Sequence, residues 1–225
     1  MLTNKNDSPL KSIISKYIKW RQNKINANNR KRLTNQAPTL ICSNCCGGFL
    51  YHWLGLKFQS PFINLYMNNE DFLTAMENFD EFINGEIRED KNSDKKFPVG
   101  IGVHGERIYF MHYPDFSSAI AKWKERVKRI DRNNMAVMLT NYGCIEPNPS
   151  GGGYWSVIQR FNNLPFKYKI AFSAEEIDSP YFVHLKGYSK VVGNKNIWAT
   201  KDMTGKRFID QFDYVSFINN LKIDK

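Results

Sequence analysis

The amino-acid sequence predicts an α/β domain with a largely parallel or mixed sheet. Short apolar runs of strand length alternate along the chain with longer segments in which apolar residues recur at helical spacing. A chain of 225 residues, 42% hydrophobic and 14% aromatic, is also long and apolar enough to bury one sizeable core. The predicted organisation is one α/β domain over residues 37–225, preceded by a basic amphipathic helix and linker over residues 1–36.

The first predicted element is the basic helix. Ser8 followed by Pro9 is typical of a helix N-cap and first helical position. Apolar residues then follow at helical spacing: Leu10, Ile13, Ile14, Tyr17 and Ile18. Trp20 adds a side chain of the kind that lies at membrane interfaces. Two interpretations stay open: the helix lies on an anionic membrane surface through residues 8–32, or its apolar stripe packs on the domain.

The net charge of +10 is unevenly distributed. Residues 1–35 hold nine Lys/Arg and one Asp, which leaves 23 Lys/Arg against 21 Asp/Glu in the remaining 190 residues. A nearly balanced body gives no reason to expect a nucleic-acid-binding surface, so nucleic acid is not expected as a partner. No apolar run approaches the roughly 20 residues that cross a bilayer, and the N-terminus lacks the apolar stretch of a signal peptide. We therefore expect a cytoplasmic protein.

The domain elements follow in order from residue 38. Short apolar runs, typical of buried strands, predict strands over 39–42, 62–66, 99–103, 107–112, 135–140 and 168–173. Apolar residues spaced by three or four predict helices over 49–56, 70–82, 116–130, 154–161 and 207–221. In open α/β sheets, ligands gather at the carboxyl ends of strands. Three loops after predicted strands are therefore candidates for a site.

The first candidate loop covers residues 43–48 and enters a helix. Backbone amides of residues 44–48, at a helix start, can bind a phosphate or carboxylate. Alternatively, Gly47 and Gly48 only permit a tight turn. The glycine spacing matches neither the P-loop nor the dinucleotide fingerprint, so no nucleotide cofactor is predicted. His52, four residues after Gly48, can reach back toward this loop.

Three of the four cysteines crowd into the same region, at positions 42, 45 and 46, and the fourth is Cys144. This crowding makes a poor disulfide framework, so reduced thiols are expected. Cys42 and Cys45 form a C-x-x-C pair, but no second ligand pair accompanies it, so no metal site is predicted. Cys45 is a candidate nucleophile because a helix N-terminus lowers the pKa of a thiol. The alternative is a small buried apolar residue.

The second and third loops supply the other candidates. His112 closes an apolar run before Pro114, where a strand-end base would lie, although a structural histidine fits the same position. The third loop, residues 141–153, is long for a connection between strand and helix, which favours binding. It contains Asn141 and Glu146, and Glu146 is either an acid/base or a solvated side chain.

Several segments together resemble a bacterial family of domains of unknown function that is filed with exopolysaccharide biosynthesis proteins. They match in order from about residue 39 to 222: ICSNCCGG (41–48), LGLKFQSPFINL (54–65), PVG (98–100), His112 and Tyr113, Lys122 and Trp123 with Arg126, Arg129 and Ile130, LPFK (164–167) and QFDYV (211–215). The resemblance implies a three-layer α/β/α fold and an origin among capsule, exopolysaccharide or lipopolysaccharide genes.

The resemblance also bears on individual residues. It places the cysteine of the family's first motif on Cys45, with Ser43 and Cys46 in place of an asparagine and an aromatic residue. After the strand-end Thr140, this chain has Asn141 where the family usually carries aspartate. The resemblance therefore implies that the C-x-x-C pair is not a functional motif. It also implies that the role of the family's aspartate is not filled by a carboxylate at position 141.

We therefore expect a transferase that moves a sugar, acyl or phosphate-linked substituent in cell-surface polysaccharide biosynthesis. The expected catalytic residues are Cys45, His112 as base and Asn141, and the expected substrate-binding residues are Asn44, Gly47, Gly48, His52 and Glu146. The expected substrates are an activated donor and a glycan or lipid-linked glycan intermediate. If the helix binds lipid, we expect the protein at the inner face of the plasma membrane. The alternative is a non-catalytic assembly or regulatory protein of a membrane-associated biosynthesis complex.

Overall fold

A computed structural model of the chain describes residues 9–140, 153–188 and 196–221. Its centre is a four-stranded parallel sheet in the order β1-β5-β6-β7, formed by β1 (Thr39–Cys42), β5 (Met135–Thr140), β6 (Lys169–Ser173) and β7 (Phe182–His184). A second, antiparallel sheet has the order β2-β3-β4, formed by β2 (Arg88–Glu89), β3 (Val99–Ile101) and β4 (Arg107–Tyr109). The predicted α/β fold with a mixed set of strands is confirmed.

Helices cover both faces of the parallel sheet. They are α1 (Pro9–Arg32), α2 (Cys46–Leu54), α3 (Asn69–Glu77), α4 (Phe79–Asn84), α5 (Phe116–Val127), α6 (Gly153–Asn163) and α7 (Tyr214–Asn219). Across the three described stretches of the chain, none of these helices has both the length and the apolarity that crossing a membrane requires.

The strands of the parallel sheet divide their side chains between two hydrophobic cores. Ile41, Val137 and Leu139 enter a core with the aromatic residues of α3, α4 and α5. Their neighbours Leu40 and Met138 enter a second core with α2 and α7. Successive side chains of a strand point to opposite faces, so burial on both faces explains why these strands are apolar without alternation. The three-layer arrangement follows from this division.

The register of the parallel sheet aligns the ends of its first two strands. Cys42, the last residue of β1, pairs with Met138, and β5 continues for two residues to Thr140. Thr140 therefore lies level with Asn44, two residues beyond β1. This offset lets the loop after β1 form hydrogen bonds with the end of β5.

The second half of α1 is anchored to the domain by a buried arginine. The Arg207 guanidinium lies 3.7 Å from the centre of the Trp53 ring and donates a 3.0 Å hydrogen bond to Asn26 Oδ1. Asn29 Nδ2 donates to the Tyr214 hydroxyl over 2.8 Å, and Arg30 Nε donates to the carbonyl of Trp53 over 2.8 Å. This half of the helix therefore packs on the α2 and α7 side of the domain.

Several predicted elements are wrong in detail. The predicted helix over 70–82 is broken at Asn78, whose side chain donates to the Thr74 carbonyl and competes with the helix backbone. The predicted strand over 62–66 is a single bridge between Tyr66 and Tyr109. The predicted strand over 107–112 ends at Tyr109, because the backbone then turns and the amide of Tyr113 donates to the carbonyl of Phe110.

The other differences concern element ends and very short strands. The predicted terminal helix is a short 3-10 turn, Phe208–Gln211, followed by α7. Strands β2 and β7, of two and three residues, were not predicted because such short runs carry no periodic signal. Helix α2 begins at Cys46, three residues earlier than predicted, and so includes both glycines of the first loop.

Gly47 lets α2 pack closely on β1. A Cβ atom at Gly47 would lie 2.8 Å from Cys42 Sγ and 3.2 Å from Cys42 Cβ, whereas one at Gly48 would meet only Ile63, at 3.8 Å. Cys42 is fully buried and cannot move away without disturbing the core. Neither glycine has a positive φ angle, so close packing at Gly47, rather than a tight turn, requires the glycine.

Replacing these two glycines by alanine should have opposite effects on stability. We expect Gly47→Ala to lower the free energy of unfolding by about 1–3 kcal/mol, because the added methyl group overpacks Cys42. Gly48→Ala is the matched control in the same helical turn and should raise it by up to about 1 kcal/mol, because alanine is the better helix former. Urea unfolding measures the free energy of unfolding of both variants. Equal changes in the two variants would contradict the packing argument.

Candidate functional site

The candidate site is built around three buried polar side chains at the ends of β1 and β5. The Asn44 side-chain amide donates to the Thr140 hydroxyl, and its carbonyl oxygen accepts a 3.0 Å hydrogen bond from the amide of Cys46. The Ser43 hydroxyl accepts a 3.1 Å hydrogen bond from the amide of Thr140. All three side chains are at most 5% exposed. These hydrogen bonds join two strand ends and the start of α2.

Residues 61–67 cover this edge of the sheet. The amide of Met67 donates to the Ser43 carbonyl over 2.9 Å, and Cys45 Sγ lies 3.9 Å from the Leu65 carbonyl oxygen. On its other side, the segment pairs through Tyr66 with β4, and the Tyr113 hydroxyl donates to the carbonyl of Ile63 over 3.2 Å. The loop after β1 and the turn after β4 thus contact the same short segment.

Asn64 lies in the middle of this covering segment and has an unusual backbone. Its φ angle is 63°, and it is the non-glycine residue with a positive φ among the residues that the structure describes. Asparagine tolerates this left-handed conformation better than most residues do. Its side chain is exposed. In the chain, Asn64 lies between Leu65, whose carbonyl is near Cys45 Sγ, and Ile63, whose carbonyl accepts from the Tyr113 hydroxyl. Asn64 is therefore placed to present an amide to a ligand.

Cys45 is half-buried beside this segment, and its environment favours the neutral thiol. Burial raises the pKa of the Cys45 thiol, which outweighs the hydrogen bond from its own backbone amide. The predicted lowering of this pKa by the helix N-terminus is wrong for that reason. Cys42 and Cys46 are fully buried, and burial raises the pKa of both thiols.

Two amides at the start of α2 already have partners inside the protein. The amide of Cys46 donates to Asn44, and the amide of Gly47 donates to the Cys42 sulfur. These groups are among those predicted to bind an anionic part of a substrate. Because they are engaged, an anion at this helix start would have to be held by other groups. Gly48 itself is half-buried.

The structure does not bring all predicted site residues together. His112 is exposed three residues beyond the antiparallel strand β4, and it reaches the covering segment only through its neighbour Tyr113, whose hydroxyl contacts Ile63. His52 is exposed in the last turn of α2, about 9 Å along the helix axis from Cys46, so it lies at the far end of the helix. Asn141, Glu146 and Cys144 lie outside the described residues.

Three residues near the edge were missed by sequence reasoning as site residues. Thr140 contributes through hydrogen bonds to residues 43 and 44, which are distant in the chain, and Asn64 through a left-handed backbone. No local pattern reveals either feature. Trp155, in the first turn of α6 after β5, is 72% exposed. Trp155 falls in the predicted helix over 154–161, but the spacing of apolar residues does not tell which of them is exposed.

A cavity of about 330 Å³ lies at the opposite edge of the sheet, beside the amino ends of β5 and β6. Three of its charged lining residues, Glu77, Asp80 and Arg132, form ion pairs within the protein, and the fourth, Lys167, lies over the Tyr168 ring. Arg132 forms an ion pair with Asp80 and lies over the Phe79 ring, and Arg160 holds Glu77. Among residues 9–140, 153–188 and 196–221, no three His, Cys, Asp or Glu side chains cluster to hold a metal ion.

Comparison with known proteins identifies relatives of the chain. A family model described as a domain of unknown function, DUF1919, matches residues 16–219. An uncharacterized protein of Haemophilus influenzae is 33% identical over 216 residues, which cover 95% of this chain and 99% of that protein. The family match begins within α1, and so it includes the half of that helix that packs on the domain.

Proposed function

The chain belongs to the DUF1919 family, and from that premise we propose that it is a transferase of bacterial cell-surface polysaccharide assembly. It moves a sugar, acyl or phosphate-linked substituent from an activated donor onto a glycan or lipid-linked glycan. The reaction takes place at the inner face of the plasma membrane. The products are exopolysaccharide, capsule or lipopolysaccharide, in keeping with the sequence resemblance to proteins filed with exopolysaccharide biosynthesis.

One observation carries the proposal: a half-buried thiol lies at the carboxyl end of adjacent parallel strands. Cys45 follows β1 directly, and the hydrogen bonds of Asn44 fix this loop against Thr140 at the end of β5. The chain continues from Thr140 into residues 141–152, which lie outside the described residues. Ligands of parallel sheets bind at this edge, so a substrate here meets groups from several elements.

The proposed chemistry follows from the charge state of Cys45. Because burial raises its pKa, the thiol keeps its proton at neutral pH and serves as a hydrogen-bond donor that positions the substrate. Asn64 adds an exposed amide on the adjoining segment. His112, on the turn that contacts the other side of that segment, acts as the base that accepts a proton from the attacking hydroxyl.

A second candidate function is supported by the exposed face of α1. Leu10 and Ile13 are 64% and 63% exposed, which is unusual for large apolar side chains of a helix. A non-catalytic assembly or regulatory protein would use such a face to dock on a membrane-associated biosynthesis complex. It would need no chemistry from Cys45, and that difference separates the two candidates.

The neutral state of Cys45 predicts slow alkylation. We expect iodoacetamide to modify Cys45 more slowly than free cysteine at neutral pH, and the rate to keep rising beyond about pH 9, because only the thiolate reacts. Peptide mapping by mass spectrometry follows Cys45 separately from Cys144. In urea, the rate should rise to that of free cysteine. A rate that reaches its plateau near neutral pH would show a thiolate and contradict the assignment.

The transferase proposal predicts that Cys45→Ala and His112→Ala abolish the glycan modification. Bacteria lacking the gene are complemented with each variant, and the surface glycan is analysed by mass spectrometry. Cys45→Ser should retain most of the product, because a hydroxyl also donates a hydrogen bond. His104→Ala is the control, since this exposed histidine lies in the turn between β3 and β4 and pairs with Glu81 of α4.

The outcomes of this experiment separate the candidates. Suppose that deleting the gene abolishes the glycan, but that both Cys45→Ala and His112→Ala make a normal glycan. This result would refute the transferase proposal and favour the assembly protein. A Cys45→Ser variant as inactive as Cys45→Ala would contradict the positioning role of the thiol. Thermal unfolding of each variant shows that the fold is retained.

A further inference from the structure

Four large apolar side chains form an exposed stripe along the first half of α1. Leu10 and Ile13 are 64% and 63% exposed, and Tyr17 and Trp20 are 44% and 48% exposed. Their spacing of three, four and three residues places them along one side of the helix, here called the outer face of α1. Ile14, Ile18 and Ile25 are half-buried on the adjoining side, which packs on the domain.

The charge of α1 decides what can cover the outer face. The helix contains eight cations and no acidic residue: Lys11, Lys16, Lys19, Arg21, Lys24, Arg30, Lys31 and Arg32. A second copy of the chain would bring like charges together along the contact, which is unfavourable. An anionic bilayer surface instead matches the charge, and each basic residue near such a surface adds attraction.

The side chains of the outer face are of the kinds that lie at a bilayer interface. Tyr and Trp are favoured there because their rings are apolar and their tips are polar. Lys24 Nζ lies 4.0 Å from the centre of the Trp20 ring, so one cation extends over the stripe itself. Met203, 52% exposed, is in the loop whose Thr204 carbonyl accepts a hydrogen bond from Arg21. An apolar stripe flanked by cations is typical of helices that lie in the interface plane.

We propose that the outer face of α1 is a docking surface for anionic phospholipid, with Leu10, Ile13, Tyr17 and Trp20 inserted among the headgroups. The second half of α1 stays on the protein, held by Arg207, Asn29 and Arg30. The helix therefore needs no folding step on binding, since it is already formed and anchored. The occupant of the face is the bilayer surface itself.

Contacts along α1 indicate which end of the molecule faces the bilayer. Arg30 meets the carbonyl of Trp53 at the end of α2, whereas Gln22, two turns earlier, donates to Thr200. Thr200 is two residues from Trp198, whose ring lies 5.1 Å from that of Phe49 in the first half of α2. The two helices thus run in the same direction.

The first half of α1 consequently extends past the start of α2. From residue 22 back to residue 10, the helix continues for about 18 Å. Cys45 lies at the start of α2, so the outer face lies toward the end of the molecule that carries the candidate site. The link between this surface and a lipid-linked substrate rests on the proposed function, but the surface itself does not.

Vesicle co-sedimentation of the full chain tests the docking surface. We expect binding to phosphatidylcholine vesicles that contain one third phosphatidylglycerol, and little binding to pure phosphatidylcholine. Ile13→Asp should weaken binding by at least about tenfold more than Ser12→Asp. The two variants add the same charge at adjacent exposed positions, but only Ile13 lies on the outer face. Ser12→Asp should weaken binding by about fivefold, through charge alone.

Three results would overturn the proposal. These are no binding of the full chain to anionic vesicles, equal binding by Ile13→Asp and Ser12→Asp, and a dimer in solution that Ile13→Asp converts to a monomer. Circular dichroism of both variants checks that the helix content is retained. Because the assay uses vesicles alone, it can succeed while the glycan experiment fails, or fail while that experiment succeeds.

Discussion

The candidate site depends on one buried side-chain amide, that of Asn44. Its nitrogen donates to Thr140 at the end of β5, and its oxygen accepts from the amide of Cys46 at the start of α2. A buried amide that loses a partner costs about 1–3 kcal/mol, so both bonds are strongly favoured once the side chain is buried. They fix Cys45, which lies in the chain between Asn44 and Cys46, at the carboxyl edge of the sheet.

The proposed site is placed at the carboxyl edge because the rest of the parallel sheet serves packing. Helices cover both faces of the parallel sheet, and its strands bury side chains in two cores. At the amino edge, the buried Asn35 and Asn134 side chains bond each other, with 2.6 Å between Asn35 Nδ2 and Asn134 Oδ1. The first half of α1 projects toward the opposite, carboxyl edge. A membrane surface bound there would face the loop that carries Cys45.

Continuous apolar runs made the central strands predictable. Residues 39–42 and 135–140 were predicted with the bounds of β1 and β5, because a strand buried on both faces needs apolar side chains at every position. The site was less predictable. Asn44 and Thr140 are 96 residues apart, and no local pattern marks the left-handed backbone of Asn64. In α1, the apolar pattern was recognised, but its division into a packed side and an exposed side was not.

The most direct measurement is a double-mutant cycle between Asn44 and Thr140, with Asn44→Ala, Thr140→Val and the double variant compared by urea unfolding. If the amide joins the two strand ends, the double variant should be less destabilised than the sum of the single variants, by about 1–2 kcal/mol. Additive effects within about 0.3 kcal/mol would show that the two side chains act independently, and would contradict the view that this contact holds the candidate site together.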